Sequence, residues 1–130
     1  MRLFRSMKED SNGVPTIGHS GRMLGVRPGN NPTPDVLAVQ ASDLVLPNQG
    51  GMSAAPHDPL HLLRHRRPPS LGGTGHDPVW YIETDELGPD LQFRQDRPTH
   101  GVIEPVRPMP LQEYQDAVAD TRGRWKLYCR

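Results

Sequence analysis

Apolar residues in this chain come in short runs, separated by longer polar stretches rich in glycine and proline. Leu3 to Met7 predicts a first strand, with Leu3 and Phe4 apolar and Arg5 among them. A loop-like stretch follows from Asn12 to Pro34, in which only Met23 to Arg27 has the pattern of a strand. Asp35–Val39 and Asp43–Leu46 are short apolar runs that fit either a strand or a helical turn, and Pro47-Asn48-Gln49-Gly50-Gly51 marks a turn. Asp58 to His65 predicts a helix, with Asp58 as N-cap, Pro59 at the first helical position, and Leu60 and Leu63, with Leu62 as a further candidate, turned to the core. Pro68-Pro69 stops it. Val79–Glu83, rich in aromatic and β-branched residues, reads as a strand, as do Leu91–Gln95 and Gly101–Val106. A second helix is expected from about Pro110 to Ala119, where Leu111, Tyr114 and Val118 fall at helical spacing. Trp125 to Cys129 closes the chain as a last strand or a short helical end, and no internal repeat is visible.

Composition narrows this pattern to one loop-rich β or α+β domain spanning residues 1–130. Glycine (13) and proline (15) are scattered along most of the 130 residues, which forbids long helices because an internal proline breaks the hydrogen-bond ladder. Mean hydropathy is −0.68, a value that would also suit a disordered chain. Balanced charge and strand-sized apolar runs favour folding instead. The formal net charge of zero argues against stable binding to nucleic acid or to an anionic membrane. Of the basic residues only Lys8 and Lys126 are lysine; the arginines suit phosphate recognition, though a GC-rich genome would enrich them equally.

Cys129 is the single cysteine, so no intrachain disulfide forms, and MRLFRSMKED has no apolar signal core. We therefore expect a protein that folds in a reducing cytosol and leaves its producer without a cleaved signal peptide. Met1 and the early first strand lead us to expect a complete chain.

Several segments, taken in order, carry a family resemblance. They are LFRSM, then PDVLAVQASDLVLPNQGGMSAAPHD, then WYIETDELGPDLQFRQDRPTHGVIEPVRPM. In this order they resemble the type VI secretion exported effector two family, small bacterial toxins with an ADP-ribosyltransferase-like fold. The resemblance covers residues 35–55 and 79–109 best. It implies a compact α+β fold with a split β-sheet core, two or three short helices and long Gly/Pro-rich loops. It further implies an enzyme that uses NAD, acts in the cytosol of a target cell on an acceptor macromolecule, and is silenced in its producer by a cognate immunity protein.

The chemistry of NAD cleavage explains which residue types such a site needs. An arginine on the first strand can neutralise pyrophosphate or contact the nicotinamide ribose, and Arg5 is the candidate; it is equally readable as an ordinary edge-strand arginine. Gly50, Gly51 and Ser53 match the family's Gly-Gly-Thr-Ser, where glycines let backbone approach the ligand and serine hydrogen-bonds it; Gly-Gly is also a common loop. Met52 stands where the relatives have threonine, leaving one hydroxyl rather than two. Gln95 and His100 match the relatives' Gln-Asp and Thr-His, as groups that contact ribose hydroxyls or orient the acceptor, or as polar strand ends that satisfy turns. Glu104 is the carboxylate placed to balance an oxocarbenium-like charge; this rests on chemistry alone, since the relatives carry an apolar residue there.

Other signals are weaker. His57, His61 and His65 recur every four residues, but Pro59 interrupts them and no HExxH follows, so surface histidines are favoured over a zinc site and no metal is expected. Arg64 to Arg67 form a small basic patch that touches phosphates or merely solvates a helix end. Two other functions fit the same chain: a nucleic-acid-cleaving toxin using His100 with a second histidine, and a non-enzymatic interaction module.

Overall fold

The computed structural model describes residues 1–130. Its frame is a six-stranded sheet in the order β5-β6-β3-β1-β4-β8, built from β1 (Arg2–Ser6), β3 (Met52–Pro56), β4 (Val79–Glu83), β5 (Leu91–Arg97), β6 (His100–Pro105) and β8 (Lys126–Cys129). All its pairings are antiparallel. Two short strands, β2 (Leu44–Val45) and β7 (Met109–Pro110), form a separate pair that leads into the helix α1 (Leu111–Asp120). This is the mixed, mostly antiparallel α+β architecture expected from the family resemblance.

α1 forms where Leu111, Tyr114 and Val118 share one face, and all three are buried. Each such burial is worth about 1.5–3 kcal/mol, far more than the intrinsic propensity of ten residues. Thr121 stops the helix: its hydroxyl donates to the Val118 carbonyl at 2.7 Å and accepts from the Trp125 indole N–H at 2.9 Å. The main core unites α1, the β2–β7 pair and one face of the sheet, with Trp80, Tyr114, Met52 and Ile103 at its centre. A second, small cluster of Phe4, Ala55 and Val79 lies apart from it, covered by Leu62 and Leu71.

Two expected elements take other forms. Residues 58–65 make no α-helix; the segment runs as successive single 3-10 turns at Pro59–His61, Arg64–Arg66 and Pro69–Leu71. Asp58 does cap the first of them, accepting from the Leu60 N–H at 2.9 Å, and Pro59 does occupy its first position. A continuous helix would have little to bury, since Leu60 and Leu63 are 55% and 66% exposed and only Leu62 packs inward. Extended backbone at Leu62 and Leu63 lets that one leucine reach Phe4's cluster. Nor does Met23–Arg27 form a strand, beyond an isolated bridge of Leu24 to Ile17. Its carbonyls are taken singly instead of by a neighbouring strand: that of Met23 by Arg5, that of Leu24 by the Gly18 N–H and that of Arg27 by the Asp35 N–H.

The register explains how the sheet makes room for a site. β1 pairs with β4 along all five of its residues, but with β3 only at Leu3–Pro56 and Phe4–Ala55. β3 in turn pairs with β6 through Met52, Ser53 and Ala54. The partner of β3 therefore changes halfway along it, and β1 and β3 splay apart beyond Phe4 and Ala55. The sheet is split at this fork.

Candidate functional site

A cavity of about 380 Å³ opens at the fork. Ser6 and Arg5 from β1 line one side of it, and Ser53, Ala54 and Ala55 from β3 line the other. Arg97, Thr99 and His100 close it from the β5–β6 turn, and the 3-10 segment contributes His61, Leu62, Leu63, His65 and Arg66.

Arg5 holds the fork in place of the missing ladder. One terminal nitrogen donates to the Ser53 carbonyl at 2.8 Å and the other to the Met23 carbonyl at 2.8 Å. Arg5 is only 6% exposed, and its Nε is buried with no partner. Burial pulls its guanidinium down to about 10, against the attraction of Asp35, yet it stays cationic at neutral pH. Arg66 anchors the same loop, donating to the Gly21 carbonyl at 2.8 Å; burial and the neighbouring Arg27 lower it too. Arg27 is neutralised by a two-pronged pair with Asp35, at 2.8 and 3.0 Å.

The cavity's charge is one-sided. Four arginines and three histidines line it, and no carboxylate does. Arg5, Arg66 and Arg97 have no ion-pair partner anywhere in the protein. Three unneutralised guanidinium groups around one cleft, on a chain of zero net charge, make a local anion site.

At the mouth of β6 stands a hydrogen-bonded row of three residues. His100 Nε2 lies 3.3 Å from the Ser53 hydroxyl, and Nδ1 lies 2.7 Å from Asp96 Oδ1. Burial of Asp96 opposes its ionisation, but the hydrogen bond and charge of His100 outweigh that and hold the carboxyl below its usual range.

The structure thus brings Arg5, Ser53 and His100 together at one cavity. It places four other sequence candidates elsewhere. Glu104 is fully buried outside the cavity, where its carboxylate accepts from Arg94 Nε at 2.7 Å, Gln92 Nε2 at 2.9 Å and the Asn48 N–H at 3.2 Å. It clasps the β5–β6 hairpin to the 47–51 turn, and its oxygens face these donors rather than a ligand. Gly50 and Gly51 also lie off the cavity. They have φ of 114° and 156°, and a Cβ on them would meet the carbonyl oxygens of Asp35 at 2.3 Å and Ile103 at 2.5 Å. The close approach that requires glycine there is to the protein's own backbone. Gln95 is exposed and closes the hairpin turn, donating to the Arg97 carbonyl at 3.1 Å. Met52 points into the main core, so the threonine it replaces would not have faced the cleft.

Sequence reading left several cavity residues unassigned. Arg27 and Arg97 carried no signal at all. Arg66 was visible only as part of a basic patch, and Asp96, which stands behind His100 outside the lining, lay inside the Gln-Asp match without a role. His57 sits outside the first 3-10 turn with φ of 69°, while His61 and His65 reach the cavity wall. No group of three or more His, Cys, Asp or Glu side chains is arranged to hold a metal ion, and no helix is long and apolar enough to cross a membrane.

Compared with known proteins, the chain matches a family model described as Tse2 ADP-ribosyltransferase toxin over residues 2–125. No curated protein and no solved structure matches it.

Proposed function

Because the chain belongs to the Tse2 ADP-ribosyltransferase toxin family, we propose that the cleft between β1 and β3 binds NAD and splits its nicotinamide–ribose bond. The observation that carries this reading is the unneutralised cation set of Arg5, Arg66 and Arg97 around a cavity that also holds Ser53 and His100. Arg66 and Arg97 offer planar donor forks to a pyrophosphate. Arg5, whose terminal nitrogens are engaged by carbonyls, acts through its charge and by fixing the Ser53 backbone. In this reading the Ser53 hydroxyl, on the cavity wall, hydrogen-bonds the nicotinamide ribose.

In the reaction the C–N glycosidic bond breaks, and neutral nicotinamide leaves with the bonding electron pair. An acceptor hydroxyl or water then bonds to the same ribose carbon and gives up its proton. His100 Nε2 is the base for that proton, reached through the Ser53 hydroxyl at 3.3 Å. As a toxin, the protein would act in the cytosol of a target cell on a macromolecular acceptor. It would leave its producer by a type VI secretion machine, without a cleaved signal peptide, and a cognate immunity protein would hold it silent there.

The test is release of nicotinamide from labelled NAD by the purified protein, with bacterial lysate as acceptor. Turnover by wild type that is lost in Arg5→Ala and Ser53→Ala supports the reading; no turnover and no transferred label overturn it. Three histidines among arginines also fit a nucleic-acid-cleaving toxin, and cleavage of RNA or DNA without NAD would favour that second reading. Relief of growth inhibition by a neighbouring gene's product tests the immunity partner.

A further inference from the structure

Cleavage of a glycosidic bond builds positive charge on the ribose, and a negative group near it normally stabilises that charge. The cavity has no carboxylate in its lining, and Glu104 is sealed elsewhere by three hydrogen bonds. Asp35, behind the lining Arg27, is spent on that arginine, whereas Asp96 meets a lining histidine instead. Asp96 Oδ1 lies 2.7 Å from His100 Nδ1, and His100 Nε2 lies 3.3 Å from the Ser53 hydroxyl.

We propose that Asp96 is the positioning residue of this site, orienting His100 toward Ser53 and supplying, through the imidazole, the negative charge that the cleft wall lacks. An ionised carboxylate only accepts, so His100 Nδ1 must carry a hydrogen. In the neutral ring Nε2 is then a lone pair, and the Ser53 hydroxyl donates to it. The oxygen lone pairs of Ser53 are left for the ligand. When the acceptor's proton passes to the Ser53 oxygen and the proton of Ser53 passes to Nε2, Asp96 balances the imidazolium formed, as an aspartate does behind a catalytic histidine in serine hydrolases. Against the cost of burial, His100 holds the Asp96 carboxyl below its usual range, which agrees with its being an anion in contact with this ring. The bulge between Gln95 and Arg97 gives the arrangement its local cause. The hairpin register shifts there, pairing Arg97 rather than Asp96 with His100. Asp96 is thereby free to meet the ring from the side, four residues before it in sequence.

The catalytic part of this inference rests on the NAD reading above, but its structural part does not, and the two fail separately. Three variants are compared with wild type by nicotinamide release and by nitrogen NMR of the imidazoles. Asp96→Asn keeps the size and removes the charge; turnover should fall about 10²-fold in kcat while KM stays within about twofold. Asp96→Ala should lose the Nδ1–H tautomer of His100 in the spectrum, an effect that a merely structural aspartate would not produce. Asp96→Glu should recover part of both. An unchanged tautomer in Asp96→Ala, or wild-type kcat in Asp96→Asn, overturns the proposal. If wild type turns over no NAD, the NAD reading and the catalytic role fall together, and the spectrum alone decides whether Asp96 sets the ring.

Discussion

The two ends of β6 carry the same kind of chemistry in opposite settings. At Glu104 a carboxylate is fully buried and saturated by Arg94, Gln92 and the Asn48 N–H. At His100 an acid, an imidazole and a hydroxyl are linked in a row, half-exposed, with the last member facing a cavity. Four positions along one strand take the chain from the open cleft at His100 to a structural clasp at Glu104. A polar group with every hydrogen-bonding position filled fixes geometry, whereas one left partly open can still meet a ligand. The difference lies in what covers each end: the 47–51 turn packs over Glu104, and the splayed fork leaves His100 uncovered.

The contrast can be broken most forcefully at the sealed end. Glu104→Ala should destabilise the protein by about 3 kcal/mol, because removing this fully buried side chain leaves a cavity and breaks the three hydrogen bonds that join the β5–β6 hairpin to the 47–51 turn. Denaturant unfolding reads this directly. At the open end, His100→Ala should lower NAD turnover by about 10²–10⁴-fold. It should leave the unfolding midpoint nearly unchanged, because the ring is partly exposed and only its cleft contacts are lost. A His100 variant that unfolds like the Glu104 variant would erase the distinction.

Between the two ends lies Tyr114, whose hydroxyl donates to the Ile103 carbonyl at 2.5 Å and accepts from the Met52 N–H at 3.1 Å. Tyr114→Phe leaves two buried backbone groups of β3 and β6 unpaired, one residue from Ser53, at a cost of about 1–3 kcal/mol. Thermal unfolding should show the loss, and turnover should fall with it if the staple holds Ser53 in register.

Acid should loosen the open side of the molecule. The Arg22 hydrogen bond and charge hold the Asp77 carboxyl below its usual range, against partial burial. Its folded-state value lies below the unfolded one, so the pair adds stability above the unfolded value. That stability is lost as pH falls through the depressed folded value. Because Arg22 belongs to the loop that Arg5 and Arg66 anchor, acid should raise proteolysis of residues 20–27. Arg22→Ala should abolish this pH dependence. The smallest effect belongs to Leu63→Ser: with the side chain 66% exposed, stability should move by no more than about 0.5 kcal/mol, as an unfolding curve would show. A true amphipathic helix over 58–65 would make that substitution costly.

How much of this was legible without coordinates depended on the range of the cause. Strands β1, β4, β5 and β6 and helix α1 could be read because alternation or helical spacing of apolar residues lies within a few positions. Residues 58–65 misled for the same reason: Leu60 and Leu63 have helical spacing, and nothing local says that of the three candidate leucines Leu62 alone finds a partner in Phe4's cluster. The requirement for glycine at 50 and 51 was readable, but its beneficiary was not. The carbonyls of Asp35 and Ile103 press on these positions from distant parts of the chain. Glu104 and His100 carried equal promise as residue types, and only their covering told them apart.

By itself, then, the sequence determined the family, the α+β character and the presence of Arg5, Ser53 and His100 in one ordered motif set, because these depend on residue identity and order along the chain. The tertiary structure decided where β3 exchanges partners, and so where the cleft opens. It decided which arginines stay unpaired beside it and which carboxylate stands behind the histidine. Those outcomes depend on contacts between residues as far apart as Arg5 and Ser53, and on a one-residue bulge after Gln95. Local pattern cannot encode them, because burial and hydrogen-bond saturation are properties of the assembled fold.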